Sequence, residues 1–223
     1  MPTPMRQAIA RHMTYSKQNI PHYYLTVRPD VSAILDRRED WNLDHAKEES
    51  VSINDLVLKA VALALEKHRE FNGYYQEDEF RAQPHVNLGV AVALEDGLIA
   101  PAILHCEELS LFDIAKRGRD LAERARRKVL KAEEYTAATF TVTNLGMYHV
   151  DSFAAIIVPP QVGILAVGGV AAVPIVVEGE IVTAHQMALT LSGDHRATDG
   201  VEGAQFLQDV VAFLQEPERI FGE

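Results

Sequence analysis

The chain has 223 residues, 48% apolar and 24% charged, with 21 Lys+Arg against 32 Asp+Glu and a formal net charge of −11. That length suits one domain with a sizeable core, and 13 Gly with 10 Pro is ordinary usage, which excludes collagen-like and disordered chains. An acidic pI near 5.3 argues against nucleic acid as the main partner, and a single Cys excludes a disulfide scaffold and suits a reducing compartment.

Thr3-Pro4 reads as the cap and first residue of a helix to about Ser16, with Met5, Ala8, Ile9 and Met13 on one face and Pro21 as a stop. This opening lacks the apolar core of a secretion signal, so a cytoplasmic location is expected, or the mitochondrial matrix in a eukaryote. His22 to Val27 is aromatic and β-branched and predicts a strand; Val31, Ile34 and Leu35 predict a short helix. Ser52 and Asp55 form a variant capping box ahead of LVLKAVALALEKH, a helix apolar enough to be buried and ended by Asn72-Gly73. Val86, Leu88, Val90, Val92 and Leu94 alternate with small residues, which predicts one strand, an Asp96-Gly97 turn and a return strand from Leu98 to Leu104.

Ser110 and Asp113 repeat the cap signature before a helix to about Leu130, whose Arg117, Arg119, Arg124, Arg126, Arg127, Lys128 and Lys131 read as a solvated face. A strand follows from Ala138 to Gly146. The uncharged stretch from Ser152 to Val177 is long enough to span a membrane, but Pro159, Pro160 and Pro174, with three glycines between, would leave a spanning helix full of unpaired backbone groups. It reads as buried strands separated by turns, so no membrane is expected. Glu178-Gly179-Glu180 is a hairpin turn, Ile181 to Leu191 a strand, DHRATDG (residues 194–200) a loop, and a helix runs from about Asp199 to Leu214. Helices and strands without a regular βαβ repeat predict an α+β fold, a mixed sheet flanked by helices in a single domain.

Among nine His residues, His105-Cys106 lacks a companion at metal spacing, and His12, His45, His68, His85 and His185 lack a partner motif, so no metal site is expected. Cys106 follows an apolar strand and reads as a core residue. His195 differs: it stands between a long apolar strand and a helix, beside Asp194, Arg196 and Asp199. Spacing leaves two readings open. The loop is catalytic, or it only organises the junction, with Asp199 as helix cap and Glu202 closing a capping box.

Six ordered blocks narrow the choice: SINDLVLKAVALAL, VAVALEDGLIAPAI, TFTVTNLGMY, FAAIIVPPQVGILAVG and LSGDHRATDG, after the opening MRQAIARHMTYSKQNIPHYYLTV. In this order the chain resembles the catalytic domain of the dihydrolipoamide acyltransferases, core components of 2-oxo acid dehydrogenase complexes. The resemblance implies a chloramphenicol acetyltransferase-like fold over residues 1–223, without lipoyl or peripheral subunit-binding domains. It implies acyl transfer, acetyl foremost and branched-chain acyl next, between the dihydrolipoamide thiol and coenzyme A. His195 is then the general base, Thr143 the hydroxyl that meets the oxyanion (many relatives have Ser there), and Asp199 the residue that holds the loop, with Arg6 and Arg11 as expected partners. Gly193 and Thr198 inside the motif, and His149, depart from many relatives. Coenzyme A is a substrate, and the lipoyl group rides on a domain outside these residues. The implied assembly is a homotrimer with active sites between subunits, built in many members into 24-mers or 60-mers that meet decarboxylase and dihydrolipoamide dehydrogenase components. The alternatives are another coenzyme A-dependent O-acetyltransferase or a non-catalytic structural core.

Overall fold

Local signals start most of the elements. The computed structural model describes residues 3–94 and 97–222. The Thr3 hydroxyl accepts the Arg6 amide at 3.2 Å and opens α1 (Pro4–Asn19), three residues longer than expected. Pro21 separates it from β1 (His22–Val27). The expected short helix is the 13-residue α2 (Ser32–Asp44). Ser52 and Asp55 close a reciprocal box, Asp55 N to Ser52 Oγ at 3.2 Å and Ser52 N to Asp55 Oδ2 at 2.8 Å, and start α3 (Ile53–Lys67).

That helix ends at Lys67 rather than at Asn72-Gly73, because a 3₁₀ turn over Arg69–Phe71 follows and buries Phe71 completely. A small hairpin, β2 (Gly73–Gln76) and β3 (Glu79–Ala82), comes next. The single strand expected from Val86 to Leu94 is divided. β4 (Leu88–Val90) stays in the main sheet, whereas β5 (Val92–Leu94) leaves it to pair with β6 (Gly97–Ile99), and β7 (Ala102–Ile103) returns beside β4. The break lies opposite Pro101, which accepts the Val90 amide at 2.9 Å but has no N–H to return; on the other side the Ala91 amide still bonds Val142 O at 3.2 Å. Asp96 of the expected turn lies outside the described residues.

Ser110 caps α4 (Leu111–Arg126), which stops short of Leu130 and is followed by α5 (Ala132–Thr136). Its basic face is not simply solvated: Arg124 forks onto Glu134 with two bonds of 2.7 Å, and Arg119 bonds the carbonyls of Glu48 and Ser50. β8 (Phe140–Asn144) leads into the stretch expected to hold several strands. Only one forms there, β9 (Gly163–Val177); residues 151–158 carry no ladder. Glu178 (φ 52°) and Gly179 (φ 89°) make the two-residue turn to β10 (Glu180–Asp194), and α6 (Gly200–Gln215) and α7 (Pro217–Phe221) close the fold.

The six-stranded sheet runs β1-β10-β9-β8-β4-β7. β9, β8 and β4 are parallel, and the other neighbours are antiparallel, so the sheet is mixed as expected. α3 packs on α6 and α4, and its Leu56, Leu58, Val61 and Leu65 share one core with Phe71, Phe140, Leu165, Leu189 and Phe206. Each such side chain contributes roughly 1.5–3 kcal/mol by leaving water. The turn end of the β9–β10 arm leaves Val176, Val177, Ile181 and Val182 exposed. Among the described residues no helix is long and apolar enough to cross a membrane.

Candidate active site

The loop after β10 is held from within. Asp194, whose side chain is fully buried, receives a fork from Arg196, Nε to Oδ1 at 3.0 Å and Nη2 to Oδ2 at 2.7 Å. Its carbonyl accepts the amides of Ala197 and Thr198, each at 3.0 Å. His195 stands exposed at the head of this turn, its amide donating to Pro21 O at 3.0 Å. Its ring meets Tyr23 edge-on, centroids 5.2 Å apart at 65°.

Tyr23 is a residue the sequence reading missed. Its hydroxyl and that of Thr198 share a hydrogen bond of 2.9 Å, and burial pushes its phenol up to about 12. The ring lies against Gly193, its register partner in β10: a Cβ there would sit 2.5 Å from the Tyr23 hydroxyl. A second glycine, Gly203 of α6, lies on its other side, where a Cβ would meet the hydroxyl at 2.9 Å. The legible signal was the glycine itself, since a glycine inside a strand marks a close approach.

Asp199 goes where the junction reading put it. Oδ1 accepts the amides of Val201 at 2.8 Å and Glu202 at 3.0 Å, and Glu202 returns to the Asp199 amide at 2.8 Å. These helix amides, with a smaller contribution from His195, hold its carboxyl below the usual carboxylate range. The expected partnership with Arg6 or Arg11 is not formed among the described residues. Arg11 instead lines a cleft of about 670 Å³ with His12, Tyr15, Tyr75 and Arg196, and Asp199 Oδ1 is taken by the amides that start α6.

Thr143 sits near the end of β8, half-buried, facing Ala166 of β9. It lines a different cleft, of about 490 Å³, with Asn54, Asn144, Arg38, Arg119 and Arg126. Asn144 bonds Asn54 at 3.2 Å and accepts the Gly146 amide at 2.8 Å, but no described residue engages the Thr143 hydroxyl. His149 is exposed in a left-handed turn and lines neither cleft.

Thr143 and His195 are therefore not brought together within one chain. Ala166, beside Thr143, pairs with Thr190, and His195 lies five residues further along. At the rise of a strand that is about 17 Å, with β9 also between them. His195 lies just beyond the start of β9, whereas Thr143 is level with the fourth residue of that strand, near the end of β8.

A model of the family described as 2-oxoacid dehydrogenases acyltransferase (catalytic domain) matches residues 2–222. The dihydrolipoyllysine-residue acetyltransferase component of the pyruvate dehydrogenase complex of Rickettsia felis is 37% identical over 215 residues, 96% of this chain and 52% of the relative. The mitochondrial counterpart of Caenorhabditis elegans is 43% identical over 223 residues, again 96% of this chain but 43% of the relative. The chain thus spans about half the length of the curated relatives it matches.

Among solved structures, Azotobacter vinelandii dihydrolipoamide acetyltransferase superposes with a TM-score of 0.93 at 29% identity, covering 99% of this chain and 92% of the other. That work addresses the catalytic roles of a serine, a histidine 52 residues later and an asparagine four beyond it; Thr143, His195 and Asp199 have the same two spacings. The cubic core of a pyruvate dehydrogenase multienzyme complex also scores 0.93, at 28% identity, covering 99% of this chain and 92% of the other. A chloramphenicol acetyltransferase scores 0.57 at 12% identity over 92% of this chain and 94% of the other, which shows the shared fold alone. By family model, relatives and fold together, the chain belongs to the 2-oxoacid dehydrogenase acyltransferases, as their catalytic domain.

Proposed function

We propose that this chain transfers an acyl group, acetyl foremost, between the thiols of dihydrolipoamide and coenzyme A, at sites shared by two subunits of a homotrimer. The observation that carries this is the separation of Thr143 from His195 within one chain, although their spacing matches that of the serine and histidine in the Azotobacter enzyme. A site that needs both groups then takes His195 from one subunit and Thr143 from the next.

The chemistry follows from the two side chains. A free thiol is only a few per cent thiolate at neutral pH, and the imidazole of His195 removes its proton as sulfur attacks the thioester carbon. The carbonyl oxygen gains the negative charge and receives a hydrogen bond from the Thr143 hydroxyl. Collapse of the tetrahedral intermediate breaks the other carbon–sulfur bond, and the departing thiolate takes the proton back from the imidazolium. Asp194, Arg196 and Tyr23 do no chemistry; they hold the loop and the ring. Arg38, Arg119 and Arg126 beside Thr143 suit the phosphates of coenzyme A, for among the described residues Arg38 and Arg119 bond only neutral carbonyls and keep their charge available. The lipoyl arm comes from a domain elsewhere, and the likeness to a cubic core supports assembly of trimers into a cage that meets decarboxylase and dihydrolipoamide dehydrogenase components.

The test is complementation. His195→Ala and Thr143→Val proteins are each assayed for acetyl transfer from acetyl-coenzyme A to dihydrolipoamide, then unfolded and reassembled together. Each alone should lose at least ~10²-fold. Mixed trimers should regain activity, since some sites then combine an intact His195 with an intact Thr143. No recovery in properly assembled mixed trimers overturns the shared site, and a fully active His195→Ala protein overturns the mechanism.

A further inference from the structure

Two histidines distant in sequence meet at the edge of the main sheet. His85 lies just before β4 and His105 just after β7; these strands pair antiparallel, with Leu88 opposite Ile103, so both imidazoles emerge at the same end of the ladder. Their ring centroids are 4.1 Å apart at 48°. The 3₁₀ turn over Cys106–Glu108 brings two carboxylates to the same place. One potential ligand atom from each of His85, His105, Glu107 and Glu108 lies within 4.8 Å of the other three.

We propose that these four residues bind one divalent first-row transition metal ion, zinc foremost. Two imidazoles and two carboxylates are the donor types of zinc sites and far too few oxygens for calcium or magnesium. In a tetrahedral zinc site neighbouring ligand atoms are about 3.4 Å apart, so rotation of one or two of these side chains closes the set. Glu108 is exposed and free to turn.

The surrounding frame is already in place. The Cys106 amide donates to Val86 O at 2.7 Å, and the His105 amide donates to Asn87 Oδ1 at 2.9 Å. Glu107 uses Oε2 to accept the Val86 amide at 2.9 Å, which aims Oε1 at His85 Nδ1, 2.8 Å away. Such an outer bond on a ligand carboxylate orients it for a metal. Without the ion, a hydrogen bond joins His85 Nδ1 to Glu107 Oε1, and the cation takes its place between the same two atoms. A plain ion pair explains those two residues only. It gives no reason for His105 to face His85 from a left-handed backbone (φ 56°), or for Glu108 to converge with them. Cys106 is no ligand, since its Sγ is buried against Ile103 O at 3.2 Å. None of the four residues lines either cleft of the acyl-transfer site, so the ion would be structural: it pins the sheet edge to the turn before α4.

The experiment is a zinc titration of the assembled protein by calorimetry, with cobalt absorption reporting ligand type. The expected result is one ion per chain and a d–d spectrum of four-coordinate cobalt. Glu108→Gln, exposed and harmless to folding, should weaken binding by about tenfold or more, as should His105→Asn. Zinc binding unchanged in both variants, or no stoichiometric binding, overturns the site. Acetyl transfer should be the same in Glu108→Gln and the parent, so failure here is separable from failure of the catalytic reading.

Discussion

The ring of Tyr23 stands edge-on to His195 and is wedged between Gly193 and Gly203. The imidazole therefore takes its position from an aromatic ring that tolerates no side chain beneath it. Gly193→Ala puts a methyl 2.5 Å from the Tyr23 hydroxyl, where a rigid ring has to move. The expected outcome is a loss of about 1–3 kcal/mol in stability from overpacking and a fall in kcat of tenfold or more. Steady-state kinetics beside a urea melt checks both; unchanged kcat would mean that Tyr23 does not set the imidazole.

Thr143 offers a hydroxyl that no described residue engages, at the end of a strand whose register is set on both sides. Thr143→Val keeps the shape and removes the donor. It should lower kcat by about 10²–10³-fold, whereas Thr143→Ser should stay within about tenfold of the parent. Equal activity in the valine variant would exclude oxyanion stabilisation by this residue.

Cys106 carries the only protein thiol, in a protein whose proposed substrates are thiols. Burial pushes it up to about 12, so the thiolate is scarce at any ordinary pH. A disulfide reagent such as dithionitrobenzoate should leave it unmodified in the native protein and titrate one equivalent after denaturation. Rapid reaction of the native protein would contradict this burial.

Glu134 gives a pH dependence of stability. The Arg124 fork is the main reason its carboxyl is held below the usual carboxylate range, against the opposing effect of desolvation. A carboxyl with a depressed folded-state pKa contributes stability above its unfolded value, near 4.3, and loses it as pH falls through the folded value. Glu134→Gln should cost about 1–2 kcal/mol at pH 7, and the gap to the parent should narrow below about pH 4. Thermal melts of both proteins across that range are the measurement.

Much of the secondary structure was legible because its signals are local. Thr3-Pro4, Ser52 with Asp55, and Ser110 each start the helix they predict, and Glu178-Gly179 makes the hairpin. A cap acts on amides two or three residues away, and a turn on its own two dihedrals, so adjacent residues suffice. The cap of Asp199 with Glu202 was legible the same way, between strand and helix, whereas the roles of His195 and Thr143 came only from the resemblance.

What the chain does at long range was decided elsewhere. The strand from Val86 divides because Pro101, on the returning strand, withholds a donor. The stretch before Val177 forms one strand because β10 supplies a long partner. Asp199 turned to its own helix, Tyr23 met His195 across 172 positions of sequence, and His85 found His105 through the pairing of two sheet-edge strands. Composition and periodicity say which face of an element seeks a partner. Only register, set by the closing of the sheet and the packing of α3 and α6 into one core, says which residue that partner is.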